Sequence, residues 1–230
     1  GVTLFGSSVV QFAIIWYVTL QTSSGAWVSA LTVAAYLPQF LISFVSGIWA
    51  DRYDRKKLII FADALIAAAT LVLAICLPYI GEGTPVLFAL VAISVVRSIG
   101  TGIQTPAVNA AISQLVPEEK LMKFNGVNAT IQSLVQFAAP AAAGAILSLS
   151  TLRATLLIDI ATAIVGIGIL SAVAIPFAKV EGNPSMIGEM KAGFRYALKE
   201  RFIGQLLLLF GLFIFLCVPA GFLATLFVSR

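Results

Sequence analysis

The chain has 230 residues, of which 60% are hydrophobic and only 10% carry a charge. A soluble domain of this length is about half apolar and about a quarter charged, so the composition argues against a water-soluble globule and predicts a membrane protein. The sequence contains no histidine, which argues against imidazole catalysis and histidine metal sites. We therefore expect neither an enzyme nor a bound cofactor or metal ion.

Seven segments are apolar over enough residues to cross a bilayer, which takes about 20 residues of helix. They are residues 1–21, 27–50, 58–79, 85–108, 124–148, 152–178 and 203–228. Helices are expected because a single strand leaves its backbone groups unsatisfied in lipid. The predicted fold class is all-α and polytopic, with a six-helix bundle over 1–178, a cytoplasmic loop over 179–202 and a seventh helix over 203–230.

The positive charges alternate between the connections of these segments. Four Lys or Arg residues lie in 51–57, two in 117–123 and five in 179–201, which together hold 11 of the 14 in the chain. By the positive-inside rule, these connections and the start of the chain are expected on the cytoplasmic side of a cell membrane. Because topology accounts for the basic excess, we expect no nucleic-acid partner.

In the third basic connection, residues 179–201, apolar side chains recur at the spacing of a helix. Asn183 and Pro184 suit the start of a helix, and apolar residues then recur at Ile187, Met190, Phe194, Leu198 and Phe202. This pattern predicts an amphipathic helix that lies on the membrane surface. A solvated linker is the alternative.

A dense charge cluster joins the second and third predicted helices, in the stretch Gly47-Ile-Trp-Ala-Asp51-Arg-Tyr-Asp-Arg55-Lys-Lys57. It resembles the signature Gly-x-Leu-Ala-Asp-Arg-x-Gly-Arg-Lys/Arg of the major facilitator superfamily, with matches at Gly47, Ala50, Asp51, Arg52, Arg55 and Lys56. Trp49 replaces the family's Leu, and Asp54 replaces its second Gly, as in the branch of macrolide, other drug and siderophore exporters. The resemblance covers the whole layout and implies the first half of a twelve-helix transporter plus its seventh helix.

The residues of this cluster favour a conformational latch. Gly47 would let a neighbouring helix approach closely, and Asp51 suits the positive N-terminus of another helix. Arg52 and Arg55 can hold carboxylates or carbonyls through several donors. The resemblance implies that the loop stabilises the outward-facing state against a C-terminal half expected beyond this sequence. For Lys56, a role in topology alone is the alternative.

Arg97 lies inside the fourth predicted helix, where an unpaired charge is costly. It is followed by Gly100 and Gly102, and it resembles a fourth-helix motif of the family in which the glycines come four and six residues after the arginine. The resemblance implies a part in proton transfer. On physical grounds Arg97 faces a watery cavity or a carboxylate, and a purely structural ion pair is the alternative.

Two carboxyl groups, Asp63 and Asp159, also lie inside predicted helices and are candidate proton carriers. The alternative for Asp63 is a structural pair with the 51–57 loop or with Arg97. The alternative for Asp159 is that it reaches the outer surface near Arg153.

The fifth predicted helix contains Ala139-Pro140-Ala-Ala-Ala143-Gly144. This stretch resembles the antiporter motif Gly-x-x-x-Gly-Pro-x-x-Gly-Gly, in which Pro140 and Gly144 match. A proline bends a helix and small residues allow close packing. The resemblance favours export.

Polar side chains within the predicted spans are candidate substrate contacts, namely Gln11, Tyr36, Asn128, Gln132 and Gln136. The last three recur at a spacing of four and therefore share one helix face. Such a face suits a ligand with both polar and apolar parts, and interhelical hydrogen bonding is the alternative.

Together with the resemblance, these features predict a secondary active exporter that works by alternating access, with proton coupling and a macrolide-like drug or siderophore as substrate. The expected partners are the lipid bilayer, the small-molecule substrate, protons and the C-terminal half. An importer or facilitator of the same fold is the first alternative. The others are a membrane module of an ATP-driven exporter, a channel and a non-transporting scaffold.

Overall fold

The computed structural model describes residues 1–81, 83–173, 188, 195–196, 199–200, 202–213 and 216. The chain divides into two compact units, Gly1–Val180 and Glu181–Arg230. In the second unit the structure describes one apolar helix, Phe202–Phe213. Most residues of the predicted surface helix over 183–202 and of the predicted seventh span fall outside the described residues.

The described part of the first unit consists of six helices and contains no strand. They are α1 Val2–Thr22, α2 Gly25–Arg52, α3 Arg55–Cys76, α4 Thr84–Leu115, α5 Glu118–Leu149 and α6 Leu152–Ala172. Each is long and apolar enough to cross a bilayer, with mean hydropathy between 1.3 and 2.6 in its most apolar window. The predicted all-α, polytopic fold is confirmed.

Several predicted helix ends are wrong, because charged residues near the ends belong to the helices. The connection predicted over 51–57 shrinks to Tyr53 and Asp54. The side chain of Asp54 accepts hydrogen bonds from the main-chain N–H groups of Lys56 and Lys57, so it caps the N-terminus of α3. Similarly, α5 begins at Glu118 rather than at 124, since two glutamates in its first turn suit the positive end of the helix dipole.

The main apolar core lies between α1 and its neighbours, around Val9, Val10, Ala13 and Ile14. Helix α5 contributes a row of residues at a spacing of four, Val135, Ala139 and Ala143. These occupy the three glycine positions of the antiporter motif before its final glycine. A Cβ atom added at Gly144 would meet nothing within 4 Å, so in the described bundle the alanines, and not Gly144, provide the close packing.

Helix α4 lies between α2 and α3, and two of its glycines allow close approach on both sides. A Cβ atom at Gly100 would collide with the side chain of Ile66 on α3. One at Gly102 would collide with Ile42 of α2 and lie 2.9 Å from the main-chain oxygen of Gln39. Because Gly has no side chain, the α4 backbone can pack directly against both helices.

Proline interrupts both α2 and α4, and each helix is repaired by a serine from the other. Pro106 of α4 has no N–H, which leaves the carbonyl of Gly102 without its helical donor. The hydroxyl of Ser46, on α2, donates to that carbonyl at 2.6 Å.

The reciprocal contact is made next to Pro38 of α2. In a regular helix the N–H of Gln39 donates to the carbonyl of Ala35. Here the hydroxyl of Ser98, on α4, accepts from Gln39 N at 2.9 Å and donates to Ala35 O at 2.6 Å. Such side-chain bonds are how a proline-broken helix keeps its backbone satisfied in lipid. The two helices therefore depend on each other for their main-chain hydrogen bonds.

We expect Ser98→Ala to lower the free energy of unfolding by about 1–3 kcal/mol, because it leaves buried main-chain groups of α2 without their partner. Ser94 is a matched control, since it is buried on the same helix but its hydroxyl bonds Leu90 O of its own helix. Ser94→Ala should be nearly neutral. Thermal unfolding of purified protein in detergent would measure the stability of both variants. Equal destabilisation would contradict the role of Ser98 in satisfying the main chain of α2.

Candidate functional site

The charged stretch at the end of α2 and the start of α3 ties helix ends of the bundle together. Arg55 Nε donates to the carbonyl of Ala50 at 2.9 Å, and its Nη1 donates to Gln114 Oε1 of α4 at 2.6 Å. Lys56 Nζ donates to Ser171 O and Val173 O, at 2.8 and 2.6 Å. A lysine at the last carbonyls of α6 suits the negative end of that helix. Lys56 therefore has a structural contact beyond topology.

Two residues of the same stretch remain unengaged within the described part of the bundle. Asp51 is exposed, and its carboxylate accepts no hydrogen bond from a described residue. A Cβ atom added at Gly47 would meet nothing within 4 Å. The close helix approach considered for Gly47 is thus not made by any of the six helices.

Arg97 lies in the interior of the bundle, where its guanidinium forms an ion pair with Asp159 of α6. Only 5% of the Arg97 side chain and 1% of the Asp159 side chain are exposed. Arg97 Nη1 also contacts Thr70 Oγ1 of α3, and Nη2 donates to the carbonyl of Ser7 on α1 at 3.1 Å.

The carboxylate of Asp159 is satisfied by the same set of helices. It accepts a hydrogen bond from the Ser7 hydroxyl at 2.9 Å, and its second oxygen lies 3.1 Å from Thr70 Oγ1. The interpretation that Asp159 reaches the outer surface near Arg153 is wrong, because α6 turns it towards Arg97. Four helices thus meet at one buried charge pair.

A second polar contact lies on the same α3–α4 interface. Asp63 is buried and accepts a hydrogen bond from Gln104 Nε2. It pairs with neither the 51–57 loop nor Arg97, so both alternatives for Asp63 are wrong. Asp63 and Thr70 are seven residues apart on α3, as are Arg97 and Gln104 on α4, which separates the two contacts by two turns, or about 10 Å. One buried carboxylate has a cation as partner and the other a neutral amide.

A polar cavity of about 830 Å³ opens between α4 and α5. Its lining residues are Asn109, Ser113, Asn125, Asn128, Ala129, Gln132, Ser133 and Gln136. None of them carries a charge, and all but the alanine offer hydrogen-bonding side chains. The cavity can therefore bind a ligand through neutral donors and acceptors.

The structure brings together three of the five predicted substrate residues, Asn128, Gln132 and Gln136. Tyr36 lies elsewhere, on α2, and is 64% exposed. Gln11 lies on α1, where its buried Nε2 has no hydrogen-bond partner among the described residues. Four further polar residues line the cavity and are not among the five predicted, namely Asn109, Ser113, Asn125 and Ser133. Asn125 carried a usable signal, because it precedes Asn128 by three residues on the same side of α5.

Six apolar helices around a buried ion pair, with a polar cavity at their side, define a multi-pass membrane protein. The sequence model of the Major Facilitator Superfamily matches residues 1–229, and the chain belongs to that family.

The chain is also similar to curated members of this superfamily. It is 35% identical over 222 residues to Macrolide efflux protein A of Streptococcus pyogenes, which covers 95% of this chain and 54% of that protein. It is 34% identical over 197 residues to Macrolide efflux protein A of Enterococcus faecalis, with 84% and 60% covered. An uncharacterized MFS-type transporter of Bacillus subtilis, YkuC, is 25% identical over 228 residues, with 94% and 51% covered. The chain spans about half the length of these relatives.

The buried ion pair gives a double-mutant prediction. Arg97→Met or Asp159→Leu alone should each cost about 3–5 kcal/mol of stability, because the remaining charge is buried without its counterion. The double variant should be less destabilised than the sum of the two, and more stable than either single variant. Thermal unfolding in detergent is the measurement, with the exposed Arg153→Met as a near-neutral control. Additive costs would contradict a dependence of each charge on the other.

Proposed function

We propose that this chain forms the N-terminal bundle of a secondary transporter that exports a macrolide-like drug by alternating access. The observation that carries the proposal is the similarity of nearly the whole chain, at 35% identity, to proteins named Macrolide efflux protein A. Since the chain spans about half of those relatives, we infer that it works with a second bundle corresponding to their remaining length. It is a transporter and not an enzyme.

The cavity between α4 and α5 is the proposed contribution of this bundle to the substrate site. Macrolides are large molecules with an apolar ring and many hydroxyl and ether oxygens. Asn128, Gln132 and Gln136 offer amide donors and acceptors in one row, and the cavity of about 830 Å³ has the size of a typical small-molecule site. In alternating access the second bundle would complete this site from the opposite side.

We place the Asp51 end of the bundle in the cytoplasm, with the N-terminus on the same side of a cell membrane. The support is the distribution of Lys and Arg, 11 of which lie in alternate connections.

The same end of the bundle carries the proposed latch. Some of its residues make contacts within this bundle, and others are available to the second bundle. Arg55 and Lys56 hold α2, α4 and α6 together through the contacts described above. Asp51 and Gly47 remain available for a helix of the second bundle. A carboxylate at a helix N-terminus is stabilising, and Gly47 leaves room for that helix. Arg52 lies beside them on the last turn of α2. We infer that this contact forms in the outward-facing state and breaks in the other.

Proton coupling is proposed to involve Asp63, Arg97 and Asp159, with the exchangeable proton on Asp63. The two aspartates differ in their partners, because Asp159 faces a guanidinium and Asp63 an amide. An ionised donor stabilises a carboxylate more strongly than a neutral one does. The Arg97–Asp159 pair then holds α1, α3, α4 and α6 in register while Asp63 gains and loses its proton.

The experiment that tests export uses cells that produce the whole protein and measures accumulation of radiolabelled erythromycin. We expect lower accumulation than in cells without the protein, and restored accumulation when a protonophore removes the proton gradient. Asp63→Asn, which cannot carry the proton, should bind erythromycin but make efflux insensitive to the gradient.

Uptake in place of efflux would contradict export and favour the importer of the same fold. Efflux that persists after the gradient is removed would contradict proton coupling. Gradient-dependent efflux by Asp63→Asn would move the exchangeable proton away from this residue.

The latch predicts that Asp51→Asn reduces the initial rate of efflux severalfold, because the contact that stabilises one conformation loses its charge. Its thermal unfolding should stay near that of the wild type, since Asp51 has no partner among the described residues. Lys57→Gln is the control, as Lys57 lies on the same exposed end and its charge has no such role. Equal rates for both variants and the wild type would rule out the latch.

A further inference from the structure

Three helices of the described bundle contain an internal proline, at Pro38, Pro106 and Pro140. A proline has no N–H, so the carbonyl four residues before it loses its helical donor. In α4 the hydroxyl of Ser46 donates to the carbonyl that Pro106 frees. In α2 the hydroxyl of Ser98 bridges Gln39 N and Ala35 O in the turn next to Pro38. These two repairs show how this chain treats a proline-broken turn that is buried between helices.

The third broken turn has no such repair. The carbonyl that Pro140 deprives of its donor is that of Gln136, on α5. No side chain of a described residue donates a hydrogen bond to Gln136 O. In the apolar part of a membrane an unsatisfied carbonyl costs several kcal/mol, so such a group is retained where water or a ligand can reach it.

The position of this carbonyl on α5 meets that requirement. Gln136 is one of the residues that line the polar cavity between α4 and α5. Asn128, Gln132, Gln136 and Pro140 form a single row at a spacing of four, and a helical carbonyl is directed along such a row towards the residue four positions later. The carbonyl of Gln136, which Pro140 frees, therefore lies on the same side of α5 as the side chains that line the cavity.

We propose that the main-chain carbonyl of Gln136 is a ligand-binding group that accepts a hydrogen bond from a hydroxyl of the transported molecule. The proposal rests on the proposed function and adds a chemical requirement to it. Because the eight lining residues are uncharged, the carbonyl is matched to a neutral donor. The substrate class is thus a polyhydroxylated molecule, bound at this point through an O–H group.

The test uses a variant that gives the carbonyl its helical donor back. Pro140→Ala restores an N–H at position 140, which recaptures Gln136 O within the helix. The ligands are erythromycin and a panel of its mono-O-methyl ethers, each of which lacks one hydroxyl donor. Binding is measured on the purified whole protein, and the readout is the ratio of the dissociation constants of each ether and erythromycin.

For the wild type we expect one ether in the panel to bind roughly three- to tenfold more weakly than erythromycin, the loss expected for one hydrogen bond. For Pro140→Ala that ratio should fall to about one, since the acceptor is no longer available. Pro106→Ala is the matched control, because the carbonyl it affects already accepts from Ser46. It should keep the wild-type ratio whatever it does to overall affinity.

A ratio that is unchanged in Pro140→Ala would overturn the carbonyl proposal and leave macrolide export standing. The carbonyl proposal would also be overturned if Pro106→Ala lowers the ratio of dissociation constants to about one. Loss of the ratio would then follow from straightening of a helix in general. If the wild type binds neither erythromycin nor any ether, the proposed function fails and the carbonyl proposal fails with it.

Discussion

Arg97 is buried inside the bundle, and the positions of four helices follow from the need to satisfy its charge. The guanidinium has several donors in a rigid plane, and it finds acceptors on α1, α3 and α6. Removing any one of these helices would take away one acceptor of a charge in an apolar medium, where ionised side chains are costly. The contacts of this ion pair therefore constrain how α1, α3 and α6 are arranged around α4.

The central position of α4 has a second cause in the backbone itself. Gly100 and Gly102 let α2 and α3 approach its main chain, and the serine exchange between α2 and α4 makes each helix a source of hydrogen bonds for the other. Without water, a helix that contains proline must borrow donors or acceptors from a neighbour. A pair of helices joined in this way resists separation, so α2 and α4 are expected to move as one body during any change of conformation.

Much of the fold was predictable from sequence, and the failures have clear physical reasons. Hydropathy located the six helices, since a bilayer imposes a minimum apolar length. It misplaced their ends because Glu118 and Asp54 are charged yet serve as helix-start residues. The sequence does not distinguish water from a carboxylate as the partner of Arg97. It does not point to Asp159 because that contact depends on how distant helices pack. The shared face of Asn128, Gln132 and Gln136 was predictable because it follows from the period of one helix. Whether Gln11 and Tyr36 line the same cavity depends on where α1 and α2 lie, which the sequence does not give.

The two rows of α5 have a consequence for how such a protein can diverge. Val135, Ala139 and Ala143 pack in the core, while Asn128, Gln132 and Gln136 line the cavity. A single mutation in the second row can exchange one uncharged polar group for another without adding a charge to the apolar interior or disturbing the packing of the first. The polar surface of the cavity can therefore change one residue at a time, at little cost in stability.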